Sequence, residues 1–225
     1  MRLIYASAIA LALAAVPAAL VAQDADRKVA GGGISVQGWQ GKIDAGAAKK
    51  GMTINDSKFA GDGGTLRLTI GPAASYWNPA NAVKGDYAVK ATFREAKPDA
   101  GHPHPYGIFI GGSSLDTEKQ TMVYCVAYSD GTFLVRGFSG GTVFNVSKRG
   151  PHAAVNKPGA DGSVTQEVGW NVKGDRAECV INGQVVAGFN KSEITGPGKL
   201  ESTDGVYGLR VSHNLDVTVT GLTAR

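Results

Sequence analysis

Two turn dipeptides, Gly174-Asp175 and Asn182-Gly183, sit inside alternating apolar and polar runs and confine residues 164–189 to one arrangement. The stretch reads VTQEVGWNVKGDRAECVINGQVVAGF. Asn-Gly suits a type I′ turn, whose central residues both need φ > 0, and Gly in first place suits type II′. If both loops are two residues long, Trp170 lies opposite Cys179, and Cys179 opposite Val186. Val168, Trp170, Val172, Ala177, Cys179, Ile181 and Val186 then share an apolar face. Glu167, Asn171, Lys173, Arg176 and Glu178 share the polar one. The prediction is a three-stranded antiparallel meander with one dry side.

The rest of the chain repeats this alternation in short pieces. TLRLTI (65–70), DYAVKATFRE (86–95), YGIFIGG (106–112) and the hairpin QTMVYCVAYSDGTFLVRGF (120–138) read as strands, as do GVYGLRVS and LDVTVTGLT near the end. Ile34 to Ile43, which contains Trp39, reads as the first strand, and a short one is expected near Met52–Ile54 within loops over 44–64. Residues 71–81 read as a turn-like segment, 139–163 as the longest irregular connection and 190–202 as another loop. No segment after the N-terminal leader sustains an i, i+3, i+4 pattern. The 32 glycines are about twice the usual ~7% share and mark many turns. About ten to twelve short strands of this kind specify an all-β fold, a two-sheet antiparallel β-sandwich or barrel. We expect one domain over 34–225, with 23–33 as a flexible lead-in.

The first 22 residues read as a secretory signal: one cation at Arg2, an apolar run from Leu3 to Val16, and small residues ending at Ala22. Cleavage after Ala22 leaves a secreted or periplasmic chain of 203 residues with no later stretch long enough to span a membrane. Arg2 leaves with the leader, so 22 basic residues face 19 acidic ones, spread along the chain. With no basic stripe, nucleic acid is not an expected partner. Cys125 and Cys179 are the only cysteines. An oxidising compartment favours a disulfide between them; two buried free thiols are the alternative. Pairing across Asp130-Gly131 puts Cys125 on one face with Leu134, Arg136 and Phe138, so a bond would carry Arg136 toward the core.

The runs YWNPANAVKGDYAVKATF, HPYGIFIGG, VYCVAYSDGTFLVRGF, WNVKGDRAECVINGQVVAGF and VYGLRVSHNLDVTVTGLT together resemble the concanavalin A-like lectin/glucanase jelly roll. The likeness is to its laminin-G-like and 3-keto-disaccharide hydrolase-like branches, in which a W-x-V-x-G…I-N-G hairpin and a closing G-x-x-G-L-R strand recur. It covers most of residues 34–225 and rests on turns and inward residues. The resemblance implies a jelly-roll sandwich that binds saccharide on a sheet face or its rimming loops.

Sugar rings stack on aromatic faces, and their hydroxyls need planar polar partners. Tyr76, Trp77 and Asn78 supply both, and His102, His104, Tyr106, Arg136 and Asn171 complete the expected ligand-binding set. If the polar meander face is concave, Glu167 and Glu178 are the candidate acid/base carboxylates of a glycoside hydrolase. The E-x-D-x-x-E run of a retaining glucanase is absent; Asp116-Thr117-Glu118 comes nearest, in a turn. His102-Pro103-His104-Pro105 is the most metal-like string. Proline after each histidine favours polyproline II, in which residues two apart diverge, and a third ligand would have to come from His152, His213 or a carboxylate. No metal or other cofactor is therefore expected. Three functions follow from these readings: an exported carbohydrate-binding protein, a 3-keto-disaccharide-type hydrolase, or a structural or adhesive protein.

Overall fold

The computed structural model describes residues 25–62 and 64–225; the expected signal segment lies outside them. In chain order the first strands are β1 (Gly33–Ile34), β2 (Gln40–Ile43), β3 (Lys58–Asp62), β4 (Thr65–Thr69), β5 (Ala74–Val83) and β6 (Tyr87–Glu95). Next come β7 (Tyr106–Ser113), β8 (Thr121–Ala127), β9 (Thr132–Ser139), β10 (Thr142–Asn145) and β11 (Gly150–Pro151). The last are β12 (Val164–Lys173), β13 (Arg176–Ile181), β14 (Gln184–Asn190), β15 (Gly205–Val211) and β16 (Asp216–Ala224). Among the described residues helix is confined to single turns, α1 (Ala45–Ala48), α2 (Lys191–Ile194) and a 3-10 turn at Ile54–Asp56.

Two sheets form the sandwich. Sheet A runs β1-β3-β4-β16-β6-β12-β13-β14, and sheet B runs β10-β9-β8-β7-β15-β5-β2 with β11 beside β9. All pairs are antiparallel except the two-residue β1–β3 pair. This is the expected jelly-roll sandwich, with more and shorter strands than the alternation alone resolves.

The C-terminal meander shows why local turn chemistry is reliable. Lys173 pairs with Arg176 around Gly174-Asp175, and Trp170 faces Cys179. Asn182 and Gly183 both adopt positive φ, 49° and 78°, as a type I′ turn requires. Beyond it a register shift at Cys179/Val180 inserts one residue, so Cys179 faces Ala187 rather than Val186.

The core lies between the sheets, with Phe59, Leu68, Phe93 and Trp170 from sheet A against Tyr76, Tyr106, Ile108 and Leu209 from sheet B. Trp170 is 1% exposed, and its indole N–H donates to the Ile108 carbonyl at 3.0 Å, a bond that joins the two sheets. Left unpaired there, that N–H would cost about 1–3 kcal/mol. The second tie is covalent: Cys125 on β8 is bonded to Cys179 on β13, with Cα atoms 5.9 Å apart.

The β8–β9 loop decides which side chains surround that bond. The loop is Ser129-Asp130-Gly131, three residues rather than two, because Asp130 Oδ1 accepts from the Thr132 N–H and Gly131 takes φ 89°. Cys125 consequently faces Val135, and Leu134, Arg136 and Phe138 share the opposite face with Tyr124. Arg136 is exposed, and no charge follows Cys125 into the core.

Three other expectations give way. Of residues 71–81 only the first three lie outside a strand; from Ala74 on they belong to β5, paired with β2 and β15, and Asn78–Asn81 bulge where the β5–β15 register shifts. The strand expected near Met52–Ile54 is replaced by a 3-10 turn followed by β3. The lead-in is tied down: the Val29 N–H donates to Asp56 O, and the Arg27 guanidinium bonds Ile70 O, Leu215 O and Asp216.

Candidate functional site

Side chains alternate across a strand, so register determines what the outer face of sheet B presents. One row runs Arg136, Tyr124, Phe109, Gly208, Trp77, Gln40. The neighbouring row runs Leu134, Val126, Gly107, Arg210, Ser75, Lys42. Trp77, Phe109 and Met122 are closed over, joined by Leu115 from the β7–β8 connection in a second apolar cluster. Toward the other end the face opens into a cleft of about 260 Å³. Tyr124, Val126 and Leu134 floor it, and Arg136 and Arg149 stand at its edge. Its wall comes from the crossovers between the sheets, His102–Pro105 before β7 and Ser212–His213 after β15.

The cleft is cationic, and its cations differ in how they are held. Arg210 is 8% exposed and gives two hydrogen bonds of 2.6 Å to the Asp44 carboxylate. Burial opposes its charge, but Asp44 and Tyr124 outweigh burial and hold the guanidinium's pKa above its ordinary value. Arg149 lies 3.6 Å from the Tyr128 ring centre and bonds Asp130 at 2.6 Å. Arg136 has no hydrogen bond or ion pair among the described residues. Burial raises the pKa of Tyr124, partly offset by Arg210 and Arg136, so its phenol stays protonated and able to donate.

Three imidazoles meet in the wall. His102 and His104 are stacked with ring centres 5.0 Å apart, and His213 meets His104 edge-on at 4.4 Å. The divergence expected of the His-Pro-His-Pro string does not occur: its two imidazoles lie together. One donor atom from each ring lies within 4.8 Å of the others, the only such cluster of His, Cys, Asp or Glu among the described residues. Asp26 Oδ1 approaches His213 Nδ1 at 2.8 Å, a contact too bent to count as an aligned hydrogen bond.

Several residues expected at the site lie elsewhere. Tyr76 and Tyr106 are fully buried in the core, stacked on Phe59 and Phe93, because their strands turn those positions inward. Trp77 is on the outer face of sheet B but only 4% exposed, and Asn78 caps its own bulge by accepting from the Ala80 N–H. Asn171, Glu167 and Glu178 lie on the outer face of sheet A, across both sheets from the cleft. Glu167 is paired there with Lys90 at 2.8 Å. Of the expected set, His102, His104 and Arg136 converge. Tyr124, Tyr128, Arg149, Arg210 and His213 join them, and the parity of β8 and β9 is the signal that would have found Tyr124.

No protein-family model matches the chain, and no curated protein matches it in sequence. Solved structures share its architecture. Carbohydrate-binding module CBM66 from Bacillus subtilis superposes with a TM-score of 0.58 at 9% identity, over 86% of this chain and 99% of that one. A Bacillus subtilis protein of unknown function with a galectin-like fold superposes at 0.57 and 13% identity, over 83% and 88%. The fold these structures share with the chain is a two-sheet jelly-roll β-sandwich.

Proposed function

We propose that the protein is an exported carbohydrate-binding protein that holds an anionic saccharide in the cleft on the outer face of sheet B. The guanidinium of Arg136, without a hydrogen bond or ion pair among the described residues and set beside Tyr124, with Arg149 and the histidines around it, carries the reading. Guanidinium and imidazole groups donate to hydroxyls and carboxylates, and a charge-assisted bond is about twice as strong as a neutral one. The fold shared with CBM66 supports a glycan ligand, and the disulfide fits an oxidising compartment. Because Tyr128 lies under Arg149 and Tyr124 is mostly covered, recognition rests on hydrogen bonds more than on ring stacking.

Binding is favoured over hydrolysis because the described residues that line the cleft include no Asp or Glu. The carboxylates that reach its residues, Asp44, Asp130 and Asp26, are each turned to a cation or an imidazole. A glycosidase of the familiar kind needs two carboxylates flanking the bond it cuts. The test is a glycan array on the mature protein, followed by calorimetry on the hits. Arg136→Ala should weaken binding to uronate- or sulfate-bearing glycans at least tenfold, the scale of one hydrogen bond to a charged group. Equal affinity for neutral and acidic glycans, or none for either, would overturn the reading.

A further inference from the structure

We propose that His102, His104 and His213 form a binding site for one borderline divalent metal ion of the zinc type, with Asp26 as the outer carboxylate that orients His213. The observations are geometric. Two ligands come from the β6–β7 crossover and one from the β15–β16 crossover, and the sandwich brings these connections together at one end. Their donor atoms already lie within 4.8 Å of one another. A tetrahedral zinc with Zn–N bonds of about 2.0–2.1 Å spaces its donors about 3.3 Å apart, so small side-chain rotations complete the site.

The donor chemistry selects the ion. Imidazole nitrogen suits Zn²⁺, Co²⁺, Ni²⁺ and Cu²⁺, whereas Mg²⁺ and Ca²⁺ need oxygen, which this cluster does not offer. Asp26 Oδ1, 2.8 Å from His213 Nδ1, needs only a small ring rotation to accept an aligned hydrogen bond there, the outer-carboxylate arrangement that leaves Nε2 for a metal. The docked lead-in makes this contact: Arg27 is fastened to Asp216, and the Asn214 side chain accepts from the Arg27 N–H and donates to Ala25 O. Three protein ligands leave a fourth position for water or a ligand, and all three imidazoles line the cleft. The site stands without the glycan reading. If both hold, a saccharide oxygen would complete the coordination.

The test uses untagged protein that retains Asp26, stripped with chelator and titrated with Zn²⁺ by calorimetry and with Co²⁺ by visible absorption, without glycan. We expect one ion per chain and the intense d–d bands of four-coordinate cobalt. His102→Ala and His213→Ala should each weaken zinc at least 100-fold, and Asp26→Asn about 10- to 100-fold. His152→Ala, outside the cluster, should change nothing. Thermal melts on each variant separate lost ligation from lost folding, and His102 is exposed enough to replace safely. No zinc heat and no cobalt bands would overturn the site, as would undiminished binding by the folded His102→Ala/His213→Ala protein. Full affinity in Asp26→Asn would overturn the carboxylate's role. Because the titration contains no saccharide, its failure leaves glycan binding standing.

Discussion

Asp44 stands at the N-cap of α1 yet makes no side-chain bond to that helix; both carboxylate oxygens accept from Arg210, 2.6 Å away and 166 residues along the chain. The helix forgoes a cap so that a buried guanidinium beneath the cleft is neutralised. Removing one partner of a buried pair strands the other charge, at about 3–5 kcal/mol. Asp44 keeps a third of its side chain in solvent, which places the expected cost at the low end.

Asp44→Asn should therefore destabilise the fold by about 3 kcal/mol in urea melts. Asp44→Asn/Arg210→Met should recover part of that loss, since the second change removes the stranded charge. A double variant less stable than the single one would show that Arg210 packs through its stem rather than acting through its charge.

The disulfide closes 54 residues between β8 and β13. Chain entropy assigns such a closure about 4 kcal/mol. Cys125→Ala/Cys179→Ala should lose roughly 2–5 kcal/mol by chemical denaturation. A loss below 1 kcal/mol would mean that the sheets hold together without it.

Glu95 ends β6 on the core side, 4% exposed, with Oε2 lacking a hydrogen-bond partner. Burial first, then Asp216 and Asp99, push its pKa from 4.5 to about 7. The folded value lies above the unfolded one, so the native state holds the proton more tightly. Stability should fall as pH rises from about 4.5 through about 7, by roughly 3 kcal/mol in all. Glu95→Gln should match the parent at pH 4 and melt roughly 5–10 °C higher at pH 9. Identical melting of the two proteins at pH 9 would refute this.

Gly107 lies in the middle of β7, between Val126 and Arg210. A Cβ there would lie 2.0 Å from the Cys125 carbonyl oxygen, so backbone would have to move. Gly107→Ala should cost more than the 1–3 kcal/mol of ordinary overpacking, read as a lower urea midpoint. A midpoint within error of the parent would contradict the close approach.

Glu167→Gln and Glu178→Gln test which sheet recognises ligand. Both residues lie on the far sheet, so both variants should retain glycan affinity while Arg136→Ala loses it. If Glu178→Gln abolished binding instead, the site would belong to sheet A.

The meander was legible because its turns are local: Gly174-Asp175 and Asn182-Gly183 fix Trp170 opposite Cys179 with no tertiary information. The β8–β9 hairpin was not, because Asp130-Gly131 is compatible with either a two- or a three-residue loop, and the Asp130–Thr132 bonds choose the longer. That one residue turns Tyr124, Arg136 and Leu134 outward and creates the cleft floor. Tyr76 and Tyr106 were misplaced because an aromatic beside a turn signal or a histidine loop looks the same whether its strand points it in or out. The histidine cluster was half visible: His102 and His104 announce themselves, but His213 arrives from 109 residues later by a crossover that no spacing encodes.

Tyr124 is the residue before Cys125, and Trp170 lies opposite Cys179, so the cleft floor is anchored to the opposite layer at adjacent points. A cleft fastened in this way resists splaying. Under the proposed glycan binding it would spend little ordering free energy on association, and a shape that exists before the ligand arrives would set its selectivity.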